Sequence, residues 1–252
     1  MLIQAIKHPI VRNTILGSLP PADFACMRPY LHHVVFKERA VLQDHQKPVE
    51  YVSFIEAGMV SLRTIAAGSV LEIAMVGCRG MVGVSVPLGV DTSAHQSIAA
   101  IPGSALSIRA DDLRRLMKER PQIRDHLVRH VQALLIHSAQ VAFCGVHHEL
   151  EQRLASWLCL ACDTLEANVV SVTHDYLSAM LSSRRAGVTE TLLRFEGEGV
   201  ITKARGMLRV SDRLLLNKKA CGCYATIARA YRSMETQDTD SLARPECSLL
   251  DS

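Results

Sequence analysis

The sequence predicts an α+β fold in consecutive parts: an N-terminal antiparallel β-roll, one long helix, and a pair of short helices followed by a two-stranded wing. Three observations lead there. From about His33 to Ile108, short apolar runs are punctuated by Gly58, Gly68, Gly77, Gly89 and Gly103, as in a compact roll or barrel of many short strands. Beyond Pro121, the residues Leu127, Val131, Leu134, Ser138, Val141 and Gly145 recur at spacings of 4, 3, 4, 3 and 4, the a/d rhythm of a long helix. From Val172 to Phe195 the run VTHDYLSAMLSSRRAGVTETLLRF divides into two short apolar patterns separated at Ser182-Ser183.

Taken in order, Asn13 to Tyr30 is a helical lead-in with a helix start at Pro20-Pro21. The strand candidates are His33–Phe36, Ala40–Leu42, Tyr51–Glu56, Met59–Ile65, Val70–Val76, Val82–Val86, Ser97–Ile101 and Ala105–Ile108. A short helix over Ala110–Glu119 follows, and Pro121 is suited to the first position of the long helix. Its a/d residues Leu127, Val131, Leu134, Ser138 and Val141 are expected to pair with a second copy, since a heptad seam needs a helical partner. The alternative is that this face packs on its own roll. His148–Leu165 is a further amphipathic helix, and Arg213–Met234 is helical again. Between them Gly199–Thr202 and Ala204–Val210 form the strands of the wing, with Lys203 in the turn.

In the paired short helices, Thr173 is placed to cap the first, with Leu177, Met180 and Leu181 facing inward. The second opens at Arg184, buries Val188, Leu192 and Phe195, and carries Arg184, Arg185 and Thr189 on its other face. A braced short helix with donors at its N-terminal end has the shape that enters a DNA major groove. Charge agrees: between Ser171 and Lys219 nine basic residues face five acids, within a chain of net charge +3. Aromatic residues are only 4%, which disfavours stacking platforms for single strands or RNA. No apolar run reaches the ~18 residues of a membrane span, and no signal-peptide core is present, so a cytoplasmic protein with its eight cysteines reduced is expected.

The order of these parts resembles the Crp/Fnr family of bacterial transcription regulators. The phrases that carry the resemblance are VEYVSFIEAGMVSL (Val49–Leu62), HHELEQRLASWL (His147–Leu158), RAGVTETLLRFEGEGVI (Arg185–Ile201) and the ARGMLRVSDR wing. It implies a cyclic-nucleotide-binding-like effector domain over 1–120, a dimerisation helix over 121–146, a winged helix-turn-helix over 147–235 and a flexible tail over 236–252. It also implies a DNA-contacting set of Thr173, Ser183, Arg184, Arg185, Gly187, Thr189, Glu190, Lys203 and Arg205. Arg185 stands at the family's base-reading arginine, able to bridge guanine O6 and N7. Where the family commonly has a glutamate stands Ala186, and the turn position that is usually glycine is Ser182, so the operator is not transferable from better-known members.

The effector cassette departs furthest. In the stretch from Gly83 to Gln96, Val84 replaces the ribose-holding glutamate, Ala94 the phosphate-pairing arginine and His95 the following serine. The pocket expected at Gly83, Val84, Ser85, Ala94 and His95 is therefore degenerate, since a buried phosphate without a paired cation is costly, and cyclic AMP is not expected to bind. A more apolar cavity floored by Val76, Val84 and Ile98 beneath the long helix is expected instead. Only Cys26 lies where Fnr-type members group their cluster ligands, so no iron–sulfur centre of that kind is expected.

Cys144, His147 and His148, the pair Cys159 and Cys162, and Cys221-x-Cys223 match no zinc spacing of two clean pairs, and buried thiols are ordinarily packing. His126, His130 and His137 are expected as exposed helical histidines. No metal, cofactor or catalytic residue is assigned. The rivals weighed are a metal- or thiol-based redox or gas sensor of the same fold, a purely structural dimerisation protein, and a cupin-like metalloenzyme. The last would need an H-x-H pair within the strands, and there is none; nor is there a G-x-S-x-G or H-E-x-x-H motif. The reading is a homodimeric regulator of double-stranded DNA with a near-palindromic operator, with RNA polymerase and an unidentified small effector as further partners.

Overall fold

The computed structural model describes residues 11–66 and 68–241, with side chains to residue 234. Helices α1 (Thr14–Gly17) and α2 (Pro21–Met27) and a 3-10 turn (Arg28–Tyr30) form the lead-in. Asn13 caps α1 through its side-chain oxygen, while its amide donates to the carbonyls of Ile55 and Gly80 at 2.9 and 2.8 Å, fastening the helix to the roll. The roll comprises β1 (His32–Phe36), β2 (Val41–Gln43), β3 (Tyr51–Ala66), β4 (Ser69–Val76), β5 (Met81–Val82) and β6 (Gln96–Arg109), all paired antiparallel in the order β1-β6-β3-β4. β2 pairs with β6 and β5 with β3.

Two glycines expected to separate strands instead lie within them. β3 runs through Gly58 and β6 through Gly103, and the register between the two strands shifts on either side of Ala57. A Cβ on Gly103 would sit 1.9 Å from the Ala57 carbonyl oxygen, and one on Gly58 would sit 2.6 Å from that of Pro102. The glycines thus let two long strands bulge and cross at close range. The strand expected over Val82–Val86 ends at Val82, because the chain turns from Gly83, in the left-handed region at φ 93°.

Helix α3 (Ala110–Glu119) leads into α4 (Pro121–His147), which lies along the roll. Three of the five residues expected in the dimer seam are engaged by this packing. Leu127 and Val131 are buried with Ile15, Leu16, Met81 and Leu113, and Leu134 is buried with Ile55, Val76 and Ala105. Ser138 donates to its own helix at the Leu134 carbonyl (2.9 Å), and Val141 lines an intramolecular cavity. Leu127, Val131 and Leu134 therefore serve the chain's own core, while Ser138 and Val141 are half-buried. The adjacent face holds the exposed apolar residues: Leu135 is 62% and Val146 79% exposed.

The C-terminal part comprises α5 (Leu150–Leu165), β7 (Val169–Val170), α6 (His174–Met180), α7 (Arg185–Gly197), β8 (Ile201–Ala204), β9 (Met207–Val210), α8 (Arg213–Lys219) and α9 (Gly222–Ser241). Leu177, Val188, Leu192 and Phe195 are wholly buried around α5, each contributing ~1.5–3 kcal/mol. The helix expected as one piece from Arg213 breaks at Ala220-Cys221, so that α9 turns back along α4. It continues to Ser241, past the expected start of the tail; residues 242–252 lie outside the described residues.

This part is docked on the roll through Glu72 of β4. The buried Glu72 carboxylate accepts from Trp157 Nε1 of α5 (2.7 Å), from Tyr176 Oη of α6 (2.9 Å) and from Ser61 Oγ of β3. Burial pushes the Glu72 carboxyl above its ordinary range, and these three donors oppose the shift. Arg63 lies over the Tyr176 ring, 5.8 Å from its centre.

Candidate nucleic-acid interface

Helix α6 begins as expected, with Thr173 Oγ1 accepting from the Tyr176 backbone N–H at 3.1 Å. The turn to α7 places Ser182 in the left-handed region at φ 46°, which explains why glycine is favoured there. Arg184 is the exposed N-cap of α7, and Arg185 is its first residue. Arg185 Nε is 2.9 Å from Asp175 Oδ1 of α6, but both side chains are about two-thirds exposed, 67% and 71%. Such an exposed pair is worth ~0–1 kcal/mol, so it aims the guanidinium without committing it. Thr189 Oγ1 is hydrogen-bonded to His174 Nδ1 (2.9 Å), and Glu190 is exposed, 3.9 Å from Arg194.

Three of the expected contact residues also have roles within the chain. Gly187 faces inward, where a Cβ would meet Leu150 at 3.1 Å, so its smallness serves helix packing. Ser183 is half-buried and its N–H bonds the Ser178 carbonyl, closing the turn. Lys203 is not in the wing turn but in β8, and its ammonium lies 2.7 Å from Glu196, holding that carboxyl below its ordinary range. The turn is Arg205-Gly206, closing a two-residue hairpin with Gly206 at φ 72° and Arg205 exposed at its tip. β7 adds a third strand to this sheet, which the sequence reading missed. Asp175 and His174, the partners that orient Arg185 and Thr189, were missed as well.

The effector residues are dispersed. Gly83 and Ser85 are buried in the turn after β5, and Val84 is half-buried between two parts of the core. Ala94 is exposed, with its carbonyl 3.0 Å from His45 Nδ1, and His95 is half-buried beside Thr64. Two cavities lie elsewhere, between β4, α4 and α9, and none of those five residues lines either. One, of about 290 Å³, is walled by Glu72, Met75, Val141, Trp157, Met180 and Cys223. The other, of about 240 Å³, is walled by Val76, Arg79, His130, His137, Asp163 and Tyr231. Of the expected floor only Val76 lines a cavity, because α9 folds back and opens this space on the far side of β4.

His126, His130 and His137 of α4 are buried, against expectation. His126 Nε2 is 2.7 Å from the Ile15 carbonyl. His137 Nδ1 meets Tyr231 Oη at 3.2 Å; among the described residues its Nε2 and both ring nitrogens of His130 have no hydrogen-bond partner. Burial lowers His130 to about 4 and His137 to about 3, keeping both rings neutral. Among the thiols, Cys159 bonds Asn217 (3.0 Å) and Cys162 is packed in the core. Cys144, Cys221 and Cys223 instead form a separate cluster. There Cys144, within 3.4 Å, holds the Cys221 thiol below its ordinary range and is itself driven up.

An exposed basic helix end braced by α6 and flanked by a wing is the arrangement of a winged-helix DNA-binding regulator. Residues 152–219 match the model of the Crp-like helix-turn-helix domain. Among solved structures, FixK2 from Bradyrhizobium japonicum aligns with TM-score 0.66 at 14% identity, over 76% of this chain and 98% of that one. CLP of Xanthomonas campestris, described as a c-di-GMP responsive global regulator, aligns with TM-score 0.63 at 14% identity, over 77% and 100%. The Crp/Fnr-family regulator TTHA1359 from Thermus thermophilus aligns with TM-score 0.61 at 22% identity, over 75% and 98%. No curated protein matches the chain. The chain has the fold of the Crp/Fnr transcription regulators and carries a Crp-like helix-turn-helix domain. Among the described residues, no helix is long and apolar enough to cross a membrane.

Proposed function

We propose that this chain is a homodimeric, sequence-specific DNA-binding transcription regulator whose roll does not take a cyclic nucleotide in the family's usual way. The observation that carries the reading is the exposed start of α7, where Arg184 and Arg185 project beside the wing tip at Arg205. Two such helices related by a two-fold axis enter successive major grooves of a near-palindromic site, half-sites about one helical turn apart. RNA polymerase and a small effector are the further partners, in the cytoplasm, and no enzymatic step is assigned.

Dimerisation through α4 is retained with its register moved by one residue. Val128, Gln132, Leu135, Ala139, Ala142 and Val146 keep the 4, 3, 4, 3, 4 spacing and are exposed or half-exposed, with Ala139 and Ala142 small enough for close approach. Val84 and Ala94 provide no charge for a cyclic phosphate, so an effector acting by stabilising one arrangement of α4 is better suited by the two cavities against α4 and α9.

Leu135→Glu places like charges opposite each other in the revised seam. It is expected to give a folded monomer by light scattering, with binding to a specific DNA site weakened on the order of a hundredfold or more as two-point attachment is lost. Leu134→Glu, by contrast, buries a carboxylate in the roll and unfolds the chain. Wild-type protein that retards every DNA fragment equally, or a Leu135→Glu variant that remains dimeric, sinks this reading.

A further inference from the structure

Four side chains with metal-ligating atoms converge where the end of α4 meets the α8–α9 junction. Cys144 and His148 are one helical turn apart, in the last turn of α4 and at its C-cap. Cys221 occupies the break before α9, and Cys223 lies in the first turn of that helix. All four ligand atoms lie within 4.8 Å of one another. Cys144 Sγ is 3.4 Å from Cys221 Sγ, and Cys223 Sγ is 3.7 Å from His148 Nδ1.

We propose that Cys144, His148, Cys221 and Cys223 form a tetrahedral binding site for a thiophilic divalent cation of the zinc class. With metal–sulfur and metal–nitrogen bonds of ~2.3 and ~2.0 Å, a tetrahedron sets its ligand atoms about 3.5–3.8 Å apart. The observed separations run from 3.4 Å to no more than 4.8 Å, so the cation enters with the ligands closing by up to about 1 Å. Three sulfurs and one imidazole select zinc-like ions over oxygen-preferring magnesium or calcium.

Simple packing accounts less well for the group. The three cysteines stand apart from the large apolar clusters, and the imidazole turns a ring nitrogen toward a sulfur. Outer contacts hold the ligands in place. Ser156 Oγ of α5 accepts from the Cys221 backbone N–H at 3.1 Å and lies 3.1 Å from its sulfur, while Phe143 packs on His148. Binding is a ligand exchange without redox change. The ion loses its waters, the neutral imidazole donates a lone pair, and the thiol protons pass to solvent.

The consequence is mechanical. A bound ion pins the end of α4 to the start of α9, and α9 packs on α5, which in turn carries α7. Cys144 and Cys223 also border the 290 Å³ cavity, joining the ion to the space that opens between the two parts.

The test is cobalt(II) titration of the reduced full-length chain without oxygen. One cobalt per chain is expected, with thiolate charge-transfer absorption and the strong visible bands of tetrahedral coordination, and one equivalent of zinc should displace it. Cys223→Ser and the half-buried His148→Ala are expected to weaken uptake at least tenfold, consistent with loss of a ligand. Cys162→Ser, away from the cluster, is expected to leave uptake unchanged, and far-UV circular dichroism confirms that each variant is folded. Absence of tetrahedral bands in the reduced wild type, or equal uptake by Cys223→Ser, overturns the proposal. A Cys144–Cys221 disulfide whose reduction restores no cobalt uptake also overturns it. The readout requires no DNA, so it stands or falls separately from the DNA-binding reading.

Discussion

Glu72→Ala is expected to destabilise the chain by about 3–5 kcal/mol, because it strips the acceptor from two buried donors and one half-buried donor at once. Ser61, Trp157 and Tyr176 come from β3, α5 and α6, so their shared carboxylate is the polar pin between the roll and the DNA-binding helices. Each donor left without a partner costs ~1–3 kcal/mol, and the 290 Å³ cavity beside Glu72 admits water that recovers part of it. Glu72→Gln keeps an acceptor for Trp157 and the shape of the site, and its loss should stay within about 1.5 kcal/mol. Urea unfolding followed by fluorescence of Trp157, the single tryptophan, measures both. Equal stability of Glu72→Ala and wild type would show that the pin is not formed.

Acid is expected to weaken the chain steeply through His130 and His137. Unfolded, both rings titrate near ~6.5; folded, burial lowers them to about 4 and about 3. A histidine with a lowered folded value contributes nothing above the unfolded value. Below ~6.5 the unfolded chain takes up protons that the folded chain refuses, so stability falls with falling pH until the folded values are reached. Two such groups give a slope of up to about 2.7 kcal/mol per pH unit. The double variant His130→Gln, His137→Gln should lose most of this slope between about pH 6 and 4.5 in urea titrations, while other acid-sensitive groups act on both proteins alike. Parallel stability curves for the two proteins contradict the buried-neutral assignment.

What was legible in the sequence was what depends on neighbours in the chain. The cap at Thr173, the break at Ser182-Ser183 and the exposed Arg184-Arg185 pair follow from residues within one or two turns. Which face of α4 meets the roll was not legible, because α4 carries two adjacent apolar stripes. Leu134 and Leu135 are chemically equivalent, and only the roll decides which is buried. Gly58 and Gly103 read as strand breaks because a crossing of two strands leaves the same glycine signature as a turn. Glu72 stands alone in an apolar strand, and nothing near it announces Trp157 or Tyr176, 85 and 104 residues away. Likewise Cys144 and Cys221 meet across 77 residues, and only after an unforeseen break at Ala220-Cys221 turns α9 back along α4.

We propose that α7 reads base sequence through Arg185. It is tested most directly by selecting the chain's preferred site from a random DNA pool and then measuring wild-type and Arg185→Ala affinity for that site and for random DNA at fixed salt. The wild type is expected to enrich a near-palindrome. Arg185→Ala should lose ~1–3 kcal/mol on it per substituted contact, relax discrimination at one base pair in each half-site, and bind random DNA almost as before. Equal losses on selected and random DNA would make Arg185 a phosphate contact only, and failure to enrich any sequence would contradict the claim itself.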